Sequence, residues 1–258
     1  MPFALITGAS KGIGKSIAEQ LAARGFDLLL IARSADLLEQ IAKEINQTTG
    51  RNCQWLALDL AGDQAAESVY EYCNKNQFVV SVLVNNAGYG LSGKFENYSV
   101  QEHTDMLRVN IMTLTKLTRL FLPSLLKQPK AYILNIGSSA SYQAVPLLSA
   151  YAASKAYVLN FSRGLSQELR KTSVSVTCIC PGPTDTNFVK RANVGTKGQK
   201  AAERFNMSPQ AVARIAVDSL FRRKPEVITG GLNKLSAFFA WLLPKSVVEG
   251  IAMKLYDQ

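Results

Sequence analysis

One histidine, four scattered cysteines and no long apolar run leave several chemistries without raw material. His103 stands alone, so no Ser/His/Asp triad can be assembled around it, and it reads as a surface residue of a helix. Cys53 and Cys73 are isolated, while Cys178 and Cys180 alternate within an apparent strand and would share one face. None forms a C-x-x-C pair or a zinc pattern, so no metal is expected. Inert buried thiols in a reducing, cytoplasmic setting are the expectation. No stretch reaches the ~20 apolar residues of a membrane span. Residues 3–6 already form an apolar run feeding a Gly-rich turn, and no cleaved signal peptide is expected. The formal charge of +10 favours anionic partners. Nucleic acid is not expected among them, because no Lys/Arg tract is interleaved with aromatics.

What is present alternates. Apolar runs at 3–6, 27–32, 54–58, 79–84, 131–136, 174–180 and 227–229 are separated by helix-length periodic segments at about 12–24, 35–48, 63–76, 99–127, 151–171 and 208–223. Uninterrupted apolar strands are covered on both faces, and strand–helix alternation implies right-handed crossovers. The expected fold class is therefore α/β with a parallel sheet. No linker or repeat interrupts the 258 residues, which read as one domain, 1–258. The long irregular stretch 182–207 reads as a functional loop.

The first strand runs into Thr7-Gly8-Ala9-Ser10-Lys11-Gly12-Ile13-Gly14 and then a helix. Glycines let a backbone approach a pyrophosphate, and the helix N-terminus supplies N–H donors. A rival reading overlaps it: Ala9 to Ser16 is a phosphate-loop pattern lacking only its first glycine. At the end of the second strand, where an NAD site carries an acid, stand Ala32 and Arg33. With Lys11, Arg33 would suit a ribose 2′-phosphate, or else it is a solvated loop residue. Asp59-Leu60 either meets an adenine amino group or caps the following helix. Asn85-Asn86-Ala87-Gly88 closes the fourth strand, and Asn110 sits mid-helix, where asparagine is disfavoured.

The fifth strand ends at Gly137-Ser138-Ser139, and the sixth at Pro181-Gly182-Pro183-Thr184-Asp185-Thr186. Tyr151 follows Ser138 by thirteen residues, and Lys155 lies one helical turn beyond it. A cation near a phenol favours the phenolate, which suits the phenol to proton transfer near neutral pH.

The ordered set Thr7-Gly8-x-x-x-Gly12-x-Gly14, Asn85-Asn86-Ala87-Gly88, Asn110, Ser138, Tyr151-x-x-x-Lys155 and Pro181-Gly182 resembles the short-chain dehydrogenase/reductase family, over nearly all of residues 3–230. The resemblance implies a doubly wound, Rossmann-like sheet of seven strands, ordered 3-2-1-4-5-6-7. It implies an NADP(H)-dependent oxidoreductase of the carbonyl reductase type. Tyr151 would be the general acid, Lys155 its tuner and a ribose ligand, Ser138 a donor to the substrate oxygen, and Asn110 the holder of a relay water. Cofactor contacts would come from Gly8, Ser10, Lys11, Gly12, Ile13, Gly14, Arg33, Asp59, Leu60, Asn86, Ala87 and Gly88. Further contacts would come from Asn110, Tyr151, Lys155, Pro181, Gly182, Thr184 and Thr186. A homodimer or homotetramer is implied as well.

Substrate contacts are expected from Ser138, Tyr142, Val145 and Tyr151, and from the 187–205 region as a mobile loop. The basic residues of that loop would suit an anionic or acyl-carrier-linked substrate, or are simply solvated. A 3-oxoacyl thioester, a hydroxysteroid-like ketone and a hydroxy acid all stay open. So does a non-catalytic NADP-binding regulator, which the intact Ser138, Tyr151, Lys155 and Asn110 speak against. The apolar tail, 231–258, is expected to be helical and to cover the pocket or a subunit interface. Its runner-up role is contact with a membrane surface through Lys234, Lys245 and Lys254.

Overall fold

The computed structural model describes residues 2–184 and 206–256. Seven parallel strands form one sheet: β1 Phe3–Thr7, β2 Asp27–Ala32, β3 Cys53–Ala57, β4 Val80–Asn85, β5 Ala131–Ile136, β6 Val174–Cys180 and β7 Glu226–Ile228. Their order is 3-2-1-4-5-6-7, with every pairing parallel. The helices are α1 Gly12–Ala22, α2 Ala35–Thr49, α3 Ala65–Lys75, α4 Val100–Leu107, α5 Leu114–Leu126, α6 Ser149–Glu168, α7 Pro209–Phe221, α8 Gly231–Leu242 and α9 Lys245–Tyr256.

The sheet forms because its central strands are apolar on both faces, so each face needs a covering layer. Side chains of β1 alternate accordingly. Ala4 and Ile6 face one buried cluster with α1, α2 and α7, whereas Phe3 and Leu5 face a second with α3 and α5. The strand order reverses between β1 and β4. In such sheets the crevice beyond the strand C-termini at that reversal receives ligands.

Two elements depart from sequence expectation. The single helix anticipated over 99–127 is interrupted by a π-helical turn at Arg108–Thr113, which holds Asn110. Such turns relieve local packing conflicts and are frequent at functional sites. Here the buried Asn110 finds its partners on other segments of the chain, as described below. His103 is also not a solvated surface residue. It is half-buried, stacks on Phe95 at 4.3 Å between ring centroids, and its Nε2 lies 3.2 Å from the Phe95 carbonyl oxygen. It thereby pins the short turn Phe95–Asn97. All four cysteines are free and buried, and burial pushes the Cys53 and Cys73 thiols up to about 12.

Candidate active site

The C-terminal edge of the sheet opens into one cavity of about 1230 Å³. Gly8, Ser10, Lys11, Gly12, Ile13 and Gly14 form its floor at the start of α1. This helix begins without a side-chain cap and without an acid in its first turn, so its leading N–H groups are offered to the cavity. Packing here leaves no slack. A Cβ on Gly14 would lie 2.3 Å from the Gly8 carbonyl oxygen and 2.5 Å from Asn86 Nδ2. Asn86 Nδ2 donates to the carbonyls of Thr7 and Gly8, at 2.9 and 3.1 Å. Thr7 Oγ1 donates to the Val84 carbonyl and accepts from the backbone N–H of both Asn86 and Ala87. The turns after β1 and β4 are thus stitched into one unit.

The rival phosphate-loop reading needs Lys15 at the ligand. Lys15 is instead turned outward, 3.2 Å from Glu44 on α2 and 3.8 Å from Glu19. Lys11 and Arg33 are exposed and line the cavity. Asp59 lines it too, with Oδ2 3.9 Å from Arg33 and Oδ1 accepting from the Ala61 N–H at 3.0 Å. Asp59 closes a turn rather than capping a helix, since α3 has its N-cap at Gln64. Leu60, Asn86, Ala87, Gly88, Pro181, Gly182 and Thr184 complete the set expected at the strand ends. Thr186 and the 187–205 loop lie outside the described residues.

The opposite wall carries Ser138, Tyr151 and Lys155. Ser138 follows β5, and its Oγ accepts from the Ala140 N–H at 3.1 Å. Ser141 ties that turn to α6 by donating to the Lys155 carbonyl at 2.8 Å. Helix α6 starts at Ser149, two residues earlier than expected, which puts Tyr151 in its first turn. Lys155 Nζ sits 5.9 Å from the centre of the Tyr151 ring and donates to the Ile136 carbonyl at 2.8 Å. Burial pulls the Lys155 amine down to about 8, a shift partly offset by Cys178 and Cys180 behind it. A phenol beside such an amine can exchange protons with a ligand in the cavity. Gly88 makes room for this arrangement, because a Cβ there would lie 3.0 Å from Asn110 Oδ1 and 3.2 Å from Lys155 Nζ.

Asn110 stands behind the wall rather than in it. Its Oδ1 accepts from the Tyr89 N–H, and its Nδ2 donates to the Tyr89 carbonyl and to Ser154 Oγ, at 2.9 to 3.1 Å. Both amide protons and one acceptor site of Oδ1 are thereby engaged. Tyr142 lines the cavity, but its hydroxyl donates to Glu226, which also pairs with Arg163. Burial holds the Tyr142 phenol above its ordinary range, with Cys180 and Glu226 adding to the effect. Val145 also lines the cavity. Sequence reasoning missed Tyr89, Gln143, Leu148 and Asn233, which also line the cavity. Only their nearness in the fold reveals them. From the tail, Leu235, Phe239, Val248 and Ile251 line the far end of the cavity.

Known proteins share this fold. The chain is 34% identical over 269 residues to the very-long-chain 3-oxoacyl-CoA reductase of Anas platyrhynchos, covering 99% of this chain and 80% of that one. It is 32% identical to the 17-beta-hydroxysteroid dehydrogenase type 3 of Mus musculus, covering 90% and 76%. A solved short-chain dehydrogenase from Sphingobium yanoikuyae, in complex with NADPH, superposes with a TM-score of 0.82 at 28% identity, over 94% of this chain and 93% of that one. The short chain dehydrogenase family model matches residues 2–197. On these matches the chain belongs to the short chain dehydrogenase family.

Proposed function

We propose that the protein is an NADPH-dependent reductase of lipophilic ketones, with Tyr151 as the proton donor. The observation that carries this reading is the shared cavity, where Ser138, Tyr151 and Lys155 face the glycine turn across one space. The residues fit a phosphorylated dinucleotide. The uncapped α1 N-terminus and the Cβ-free approach at Gly14 suit a pyrophosphate, and Lys11 with Arg33 suits a 2′-phosphate. The NADPH bound to the Sphingobium yanoikuyae relative supports the same cofactor. When bound, that cofactor supplies the hydride.

The chain's own residues then do four things. Ser138 Oγ and the Tyr151 hydroxyl donate to the ketone oxygen, where negative charge develops. Tyr151 gives its proton to that oxygen. Lys155, once protonated, favours the resulting phenolate. The wall of Val145, Leu148, Leu235 and Phe239 holds an apolar body.

Among the described lining residues the cations are Lys11, Arg33 and Lys155, none at the apolar end. That favours a 3-oxoacyl or hydroxysteroid-like ketone over a free hydroxy acid, and the names of the two curated relatives point the same way. The test is a panel of 3-oxoacyl thioesters, steroid ketones and small keto acids, followed by NADPH absorbance. Turnover that rises with apolar size is expected. Preference for small keto acids would overturn the substrate class, and tight NADPH binding without any turnover would favour a regulator. An oligomer built through α5 and α6 and a cytoplasmic setting belong to this reading, and analytical ultracentrifugation checks the first.

A further inference from the structure

Helix α8 is apolar apart from Asn233, Lys234 and Ser236, and a helix this rich in large apolar side chains is normally buried. Here only Ala240 of its twelve residues is buried. Among the described residues sixteen large apolar side chains are exposed, and nine of them fall between Leu232 and Met253. The cavity accounts for one face of the tail, through Leu235, Phe239 and Ile251. It does not account for Phe238, Trp241, Leu242 and Val247, which are exposed and stand outside its lining. Phe238 and Trp241 lie in contact, with ring centroids 6.1 Å apart, and Trp241 is 74% exposed.

Charge along this segment is mainly positive, and Lys245 Nζ also donates to the Ala240 carbonyl. Lys234, Lys245 and Lys254 are exposed, against Glu249 as the one carboxylate between residues 231 and 256. A second copy of the chain seated on the face would bring lysines against lysines. An anionic bilayer meets both features at once, because Trp and Lys favour its interfacial zone and its charge complements theirs. A twelve-residue helix extends only about 18 Å, short of the ~30 Å hydrocarbon core, so it would lie on the membrane and not cross it. We infer that the outward face of α8 and α9 docks the protein on anionic lipid surfaces. Leu232, Leu235, Phe239 and Ile251 are both exposed and cavity-lining, so the tail that carries the outer face also borders the cavity. The docking itself stands independently of the reaction proposed above.

The full chain carrying Trp55→Phe leaves Trp241 as its one tryptophan. It is mixed with vesicles of phosphatidylcholine and phosphatidylglycerol in equal parts, or of phosphatidylcholine alone, and assayed by flotation and Trp emission. Flotation with the anionic vesicles, a blue-shifted Trp241 emission and weakening by salt are expected. In separate samples with Trp55 retained, Trp241→Ser should lower the partition coefficient about tenfold, and Lys254→Glu about fivefold or more. Neither residue lines the cavity, so turnover of a water-soluble ketone in lipid-free buffer should be unchanged, which separates this test from that of the reaction. Three results would each overturn the inference: no flotation with anionic vesicles, equal flotation of the variants, or a Trp241 emission that follows protein concentration and ignores lipid.

Discussion

At one end of the cavity a single methyl group on Gly14 would collide with the Gly8 carbonyl and Asn86, while at the other Phe239 and Ile251 stand 43% and 61% exposed. The first end is made from strand termini. Its side chains are hydrogen-bonded to backbone on neighbouring strands, and its partners lie up to 80 residues away in sequence. The second end is made from two helices appended after β7, whose contacts are mostly apolar and partly open. The difference separates two tasks. Hydride and proton transfer need fixed geometry, and the sheet edge provides it. Choosing among ketones needs shape and apolar area, which a loosely held helical pair can supply.

The contrast breaks hardest at Tyr151. Tyr151→Phe should lower ketone turnover by about a thousandfold while NADPH affinity, read by fluorescence titration, is unchanged. Retained turnover would remove the phenol from the chemistry. Next is Gly14→Ala, which forces the β1 and β4 turns apart. It should cost about 2–3 kcal/mol in stability and NADPH binding together, read by denaturant titration and calorimetry, with no such loss from an alanine at exposed Gly231, where a Cβ meets nothing.

Lys155 sharpens the comparison through pH. Its amine falls from 10.5 to about 8 because burial disfavours the charged form. Between those values the unfolded chain binds the extra proton, so stability rises with pH across that window. Below pH 8 the buried ammonium imposes its full cost, about 3 kcal/mol. Lys155→Met removes that cost and leaves the Ile136 carbonyl without its donor. It should therefore be more stable at pH 7 by about 2 kcal/mol, with the advantage shrinking from pH 8 to 10.5 and turnover lost throughout. The smallest effect is expected at the open end. Phe239→Ala should raise KM for a long-chain 3-oxoacyl thioester about fivefold and leave the KM for NADPH and for a small ketone alone.

The sheet was legible because its strands are unbroken apolar runs and its strand ends carry Gly, Asn, Ser and Pro in fixed order. What stayed illegible depends on distant partners. Asn85 reads as part of a turn, yet it ends β4 in a buried chain in which it donates to Thr118 and Asn135, and Asn135 donates to Ser162. The π-helical turn around Asn110 answers to Tyr89 and Ser154, 21 and 44 residues away, and leaves no mark of its own beyond an asparagine in a helix. His103 looked solvated because nothing adjacent to it announces the Phe95 turn it stacks on. In the tail, composition revealed an apolar helix, but only the fold distinguishes the side chains that line the cavity from those that face outward.

The Thr7 hydroxyl has a consequence for how a ligand arrives. By giving one hydrogen bond and accepting two, it joins β1 to the turn after β4 before anything is bound. A dinucleotide therefore meets a cradle whose conformational entropy was already lost in folding, and little of its binding free energy is diverted to ordering loops. Thr7→Val keeps the shape but breaks that link. The weakened affinity should appear in calorimetry as a larger entropic penalty on binding, with the contacts to the ligand itself intact.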